Sequence, residues 1–223
     1  MNKREVTSSA AGFSLAELMI ALTITLILTA AASALLAGSF NVRGREDQKS
    51  SALADSQRAL NLMSREIANS GFGLTSNGIV AADSGASSIR VRANLNAFDG
   101  QLSSSTVSDA SEDVRYRLVT TSTASYIERL DVNTLARTTV LANRVDSFLI
   151  RYFADKVDYT PGNCDINTNS AEVTDRTKAK YLVFIICVQL PARGTPKTPG
   201  YQPVSSVQLA SDVTLRNATL TKY

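Results

Sequence analysis

The 223-residue chain has no histidine at all, only two cysteines, and no proline before Pro161. Without histidine there is no Ser-His-Asp or Cys-His catalysis, no His-ligated zinc, and no base of the usual kind near neutral pH. Strong charge of one sign is also missing: the net charge of +3 is too small to argue by itself for a nucleic-acid partner. Two cysteines, Cys164 and Cys187, fit either one disulfide or two reduced core thiols. The late first proline means that nothing of that kind interrupts a long N-terminal helix. No nucleophile–base pair or metal cluster emerges, so neither catalysis nor a cofactor is expected.

What is present begins with "AAGFSLAELMIALTITLILTAAASALLAG", starting at Ala10. From Phe13 to Gly38 the only ionisable side chain is Glu17. At about 1.5 Å rise per residue this run is long enough to cross a hydrocarbon layer of about 30 Å. A secretory signal is one reading: Lys3 and Arg4 give a basic start, Leu18 to Thr29 an apolar centre, and Ala32-Ser33-Ala34 a small-residue site cut after Ala34. That reading leaves Glu17 unexplained. A carboxylate in a membrane helix costs on the order of 2.5–3.5 kcal/mol at the centre, and less near an interface. A cut between Gly12 and Phe13 would create an α-amino group four residues before Glu17, and positions i and i+4 share a helix face. The two charges could then compensate each other within one chain. Between two chains they could set the axial stagger of a filament. Gly12 suits a cleavage position because a missing Cβ lets a protease approach the backbone.

"GFSLAELMIAL" resembles the class III signal of type IV prepilins and type II secretion pseudopilins. The resemblance implies a short basic leader (1–12) removed after Gly12 by a membrane aspartyl peptidase. It also implies N-methylation of the new terminus, Phe13, and an assembly role for Glu17 at the fifth mature position. The leader would be cytoplasmic, in accord with Lys3 and Arg4 although Glu5 weakens the bias, and the remainder would face outward.

Beyond the apolar segment (13–38) an amphipathic continuation is expected over 39–70. Leu53, Leu60 and Ile67 recur every seven residues with Met63 between, against polar Arg45, Glu46, Asp47, Lys49, Asp55 and Arg58. This stripe predicts a helix packed on its own globular domain. Gly38 and Gly44 mark places where the helix would loosen, and "NSGFG" reads as its stop, with Gly71 or Gly73 in a left-handed turn. From 71 to 223 the pattern changes to period two. "SSIRVRANL", "DVRYRLV", "ASYIERLDV", "RTTVLA" and "RVDSFLIRYFA" read as half-buried strands. "KYLVFIICVQL" reads as a central strand covered on both faces, and "VSSVQLASDVTLRN" as one or two more. Ala81 to Ser88 and Ser103 to Asp113 read as loops, and "LPARGTPKTPGYQP", with four of the five prolines, as an irregular surface excursion. The predicted class is α+β: a pilin-like long N-terminal helix packed on antiparallel sheet.

"LMSREIANSGFG", "LANRVDSFLIRYF" and "DVTLRN" are similar to segments of PilW-type minor pilins and of their relatives, the J-type minor pseudopilins of type II secretion. The resemblance implies a non-enzymatic minor pilin of a type IV pilus, acting in initiation or at the tip. Its partners would be other major and minor pilins, the prepilin peptidase and the inner-membrane assembly machinery. It would sit in the inner membrane with a periplasmic domain and then in the filament, serving adhesion and twitching motility. Outside the cytoplasm Cys164 and Cys187 would form a disulfide. Asp165, Asn167 and Asn169 alternate as at the start of a calcium loop, with Glu172 or Asp175 nearby. Ser170 and Arg176 stand where that loop needs Gly and Glu, so no metal site is assigned. Arg90, Arg92, Arg115 and Arg117 could share a basic face, but no aromatic interleaving supports base stacking, and nucleic acid is not expected. Asn217-Ala218-Thr219 matches a glycosylation triplet by chance.

Overall fold

A computed structural model describes residues 12–96, 107–142 and 144–218. The expected leader before Gly12, the start of the Ser103–Asp113 loop and Thr219 of the glycosylation triplet lie outside the described residues. The fold is α+β. One helix, α1, runs from Leu15 to Ala68. Among the described residues the strands that follow are β1 Ser88–Arg92, β2 Asp113–Thr120, β3 Ser125–Asp131, β4 Arg137–Leu141, β5 Val145–Phe153, β6 Thr160–Gly162, β7 Asp165–Asn167, β8 Tyr181–Leu190 and β9 Ser205–Thr214. All pairings between them are antiparallel, in a sheet β1-β2-β3-β4, a sheet β5-β8-β9 and a hairpin β6-β7. By its contacts the chain divides into two compact units. One comprises 12–45 with Arg193–Pro203; the other comprises Glu46–Ala192 with 204–218.

In the larger unit the inner face of α1 is Ala52, Ser56, Ala59, Leu60, Met63 and Ile67, all buried. Leu53, read from the sequence as part of the stripe, is instead 36% exposed. Leu60, Met63 and Ile67 of that stripe are buried as expected, and the small side chains of Ala52, Ser56 and Ala59 complete the face in place of Leu53. Alternation in β1 and β2 turns Ile89, Val91, Val114 and Tyr116 inward, as period two requires. The apolar run of β8 is buried on both faces. Leu182, Phe184, Ile186 and Val188 join the main core with α1, while Tyr181, Val183 and Ile185 form a second cluster with Phe153 and Val157. Ile166 of the β6–β7 hairpin packs on that second cluster. Sequence reading missed this hairpin, which sits in the loop whose spacing looked like a calcium site.

The end of α1 is fastened by residues distant in sequence. Gly71 adopts φ +79°, and its N–H donates to the Arg92 carbonyl of β1 rather than back to the helix. The Arg216 N–H donates to the Ala68 carbonyl, and Asn217 Nδ2 donates to the carbonyls of Asn69 and Ser70. The terminal "LRN" thus satisfies carbonyls that a helix end leaves open. A second tie is polar and internal. Tyr116 donates its hydroxyl to Glu66 Oε2 at 2.6 Å, and Arg129 Nε donates to the same oxygen at 2.9 Å. Burial, reinforced by the Glu66 charge, pushes the Tyr116 hydroxyl's pKa up. Tyr116→Phe should therefore cost about 1.5–3 kcal/mol, the range for a hydrogen bond to a charged group. A urea denaturation midpoint unchanged from wild type would show that this tie contributes nothing.

Candidate functional site

Sequence points to the start of α1, where Gly12, Phe13 and Ser14 precede the first helical residue. Phe13 is 87% exposed. The Ser14 hydroxyl accepts from the Ala16 N–H at 3.3 Å, and Glu17 Oε2 accepts from the Ser14 N–H at 3.4 Å. Ser14 is thus an N-cap whose hydroxyl takes the N–H of the second helical residue, and Glu17, at the third, reaches back to the Ser14 N–H as the glutamate of a capping box does. The S-x-x-E signal of such a helix start is legible in "SLAE", beside the assembly role that the resemblance gives Glu17. The i, i+4 expectation concerns the α-amino group that a cut after Gly12 would create, which the uncut chain does not contain. Phe13 lies before the helix and shares no helix face with Glu17, whose carboxylate turns back to the adjacent backbone. Its negative charge also lies where the helix dipole favours it.

Over Leu15 to Leu36 α1 exposes its large apolar side chains on all sides, including Leu18, Ile20, Leu22, Ile24, Leu26 and Leu28. Its hydroxyls do not open the backbone. Thr25, Thr29 and Ser33 donate back to carbonyls four residues earlier, at 2.9, 2.7 and 2.8 Å, so these hydroxyls are satisfied without water. This is one helix long and apolar enough to cross a membrane, with none of its most apolar window buried.

The other candidates are structural. Cys164 and Cys187 are disulfide-bonded, with Cα atoms 5.6 Å apart. The bond joins the β6–β7 turn to a fully buried position on β8. Asp165 accepts both from Arg151, which also donates to Glu172 at 2.6 Å, and from the Ile166 N–H. Asp175 accepts from the Thr177 N–H at 3.0 Å and its hydroxyl at 2.6 Å. Asp165 and Glu172 thus share the Arg151 guanidinium, and Asp175 closes the turn at Thr177. No group of three or more His, Cys, Asp or Glu side chains suited to a metal forms among the described residues. Asn167 and Asn169 only line an open concavity with Asp158, Tyr159 and Thr168.

The arginine face is ion-paired rather than bare. Arg90 bridges Asp83 at 2.6 Å and Asp113 at 2.7 Å, and Arg92 reaches Asp113 at 2.8 Å. Arg115 pairs with Asp83 at 3.3 Å, and Arg117 with Glu128 at 2.8 Å. Burial opposes ionisation of Asp113, but the hydrogen bonds from Arg90 and Arg92 outweigh it and hold the carboxyl below its ordinary value. The Arg90 bond lowers Asp83, and the Arg151 bond lowers Asp165. Because folded values lie below the unfolded value of about 3.9, this stability is fully present above it and is lost as pH falls through the folded values. Urea midpoints should agree at about pH 7 and pH 5.5 and drop at about pH 3.5. A midpoint that held or rose on acidification would contradict the ion-pair account.

Residues 7–33 match the family model described as the prokaryotic N-terminal methylation motif. No curated protein and no solved structure matches the chain. Over this segment the chain is type IV pilin-like. Motif and apolar helix together fit a membrane-anchored, surface-exposed protein of structural kind.

Proposed function

We propose that this chain is a minor pilin of the PilW type, a non-enzymatic subunit that helps to initiate or cap a type IV pilus. The observation that carries the reading is the methylation motif laid over the apolar first part of α1, in which, up to Gly38, the only ionisable side chain is Glu17. The chain would be cut after Gly12 by the prepilin peptidase and methylated at Phe13. It would wait in the inner membrane before joining other pilins through α1. Cleavage sharpens the role of Glu17. Before it, the carboxylate serves the capping box; after it, the new Phe13 amine on the same or a neighbouring chain competes for that carboxylate. In lipid, a pair of opposite charges is far less costly than either alone. A misaligned neighbour leaves Glu17 without a cation, so register is selected by the cost of the unpaired charge.

A J-type minor pseudopilin of type II secretion draws on the same motif and the same helix physics. Deleting the gene separates the two: loss of twitching with exoprotein secretion intact supports the pilus, and the converse supports the secretion system.

A further inference from the structure

The smaller unit holds a feature that filament assembly does not explain. Residues Arg193–Pro203 form a hairpin closed by the Arg193–Gln202 backbone pair and lie along α1. At its base, Arg45 donates to the Pro203 carbonyl at 2.6 Å, and the Arg193 guanidinium lies over Gly44, where an added Cβ would come within 1.6 Å of it. At its tip, Gly200, at φ +79°, comes so close to Gly38 that a Cβ added to it would lie 2.3 Å from the Gly38 Cα. The two glycines are therefore docking points, not places where the helix loosens, and α1 runs through both. From Gly44 to Gly38 is about 9 Å along the axis, and the tip points toward the apolar segment.

Counting from Leu15, a hydrocarbon layer of about 30 Å consumes about 20 residues, and the headgroup layer occupies roughly the next four or five. Gly38 and the hairpin tip then fall at headgroup depth. The charge there has one sign. Across 38–45 and 191–203 the ionisable side chains other than Tyr201 are Arg43, Arg45, Arg193 and Lys197, with no Asp or Glu. Lys197 is exposed at the tip, beside Pro196 and Pro199, and Tyr201 follows Gly200. Cations and a tyrosine at this depth match what anionic headgroups and the bilayer interface favour.

The geometry points to the Arg193–Pro203 hairpin as a membrane-surface contact that binds anionic phospholipid headgroups while the subunit is still anchored. This rests on the anchored reading above. It gives the subunit a second hold on the bilayer beside α1, one that must be released when the helix is drawn into a filament.

The chain contains no tryptophan, so single reporters can be placed without background. The full chain carrying Tyr201→Trp or Phe40→Trp is reconstituted in phosphatidylcholine vesicles with or without phosphatidylglycerol. Each sample holds lipid bearing a quencher either at the headgroup or deep in the acyl chain. Phe40→Trp, on α1 itself, reports anchoring. Tyr201→Trp reports the hairpin, and should be quenched by the headgroup probe, not the deep one, and more strongly with phosphatidylglycerol. Arg193→Ala with Lys197→Ala, or Lys197→Ala alone, should remove that phosphatidylglycerol-dependent gain while leaving Phe40→Trp quenching unchanged. If Phe40→Trp is quenched and Tyr201→Trp is not, the hairpin contact is refuted with the anchor intact. Headgroup quenching that ignores both phosphatidylglycerol and the cations refutes the anionic specificity. An unquenched Phe40→Trp removes the anchored reading and this inference together.

Discussion

Glu17→Ala should leave membrane insertion intact or improved and should reduce incorporation into filaments by about tenfold or more, the scale set by leaving one lipid-buried charge without its partner. Insertion improves because a charge costing on the order of 2.5–3.5 kcal/mol at the membrane centre, and less toward the interface, is removed. Incorporation fails because the Phe13 amine of a neighbouring chain then meets no carboxylate and register is no longer selected. The capping box offers a rival explanation, since alanine also removes the acceptor of the Ser14 N–H. Glu17→Gln separates the two. Glutamine serves a capping box as glutamate does, but carries no charge. If charge pairing governs assembly, Glu17→Gln fails as Glu17→Ala does. If capping governs it, Glu17→Gln assembles. Sheared filaments and membrane fractions, blotted against the wild type, give both readings.

Loss of the disulfide should be the largest single cost to stability. Cys164 and Cys187 are separated by 23 positions, and closing a loop of this size contributes roughly 3 kcal/mol in the chain-entropy model. Here the bond has a further consequence. The β6–β7 turn places Asn163 and Cys164 at φ 52° and 60°, a two-residue turn between Gly162 and Asp165. Non-glycine residues hold such angles only where their surroundings insist. The bond to buried Cys187, the Arg151–Asp165 pair and Gln208, which donates to the Asp165 carbonyl and accepts from the Cys164 N–H, supply that insistence. Cys164→Ser with Cys187→Ala, or reduction of the wild type, should lower the urea midpoint and uncover the second apolar cluster around Val183 and Ile185 to a hydrophobic dye. An unchanged midpoint in both would show that the hairpin needs no staple.

The elements that sequence disclosed are those with a long, clean period. A 54-residue helix without proline, and strands such as β2 and β5 with alternating burial, repeat their signal often enough to be read locally. What escaped were features whose signal is short or lies elsewhere in the chain. The three-residue strands β6 and β7 have no room for alternation, and their turn uses Asn-Cys rather than Asn-Gly. Gly38 and Gly44 looked like weak points because the hairpin that covers them is about 150 residues away. On α1 Leu60, Met63 and Ile67 were legible and are buried, whereas Leu53 is not, and Ala52 and Ala59, whose small side chains give a weak apolar signal, take buried positions beside them. At the candidate site the residues were legible, but the capping role of Glu17 had to be seen in the bonds it makes.

The mass and sequence of the mature chain's N-terminus, isolated from cells with an active prepilin peptidase, test the central claim most directly. The account predicts a chain that begins with methylated Phe13 and retains Glu17. A chain beginning at Leu35, cut as a secretory signal, would contradict it.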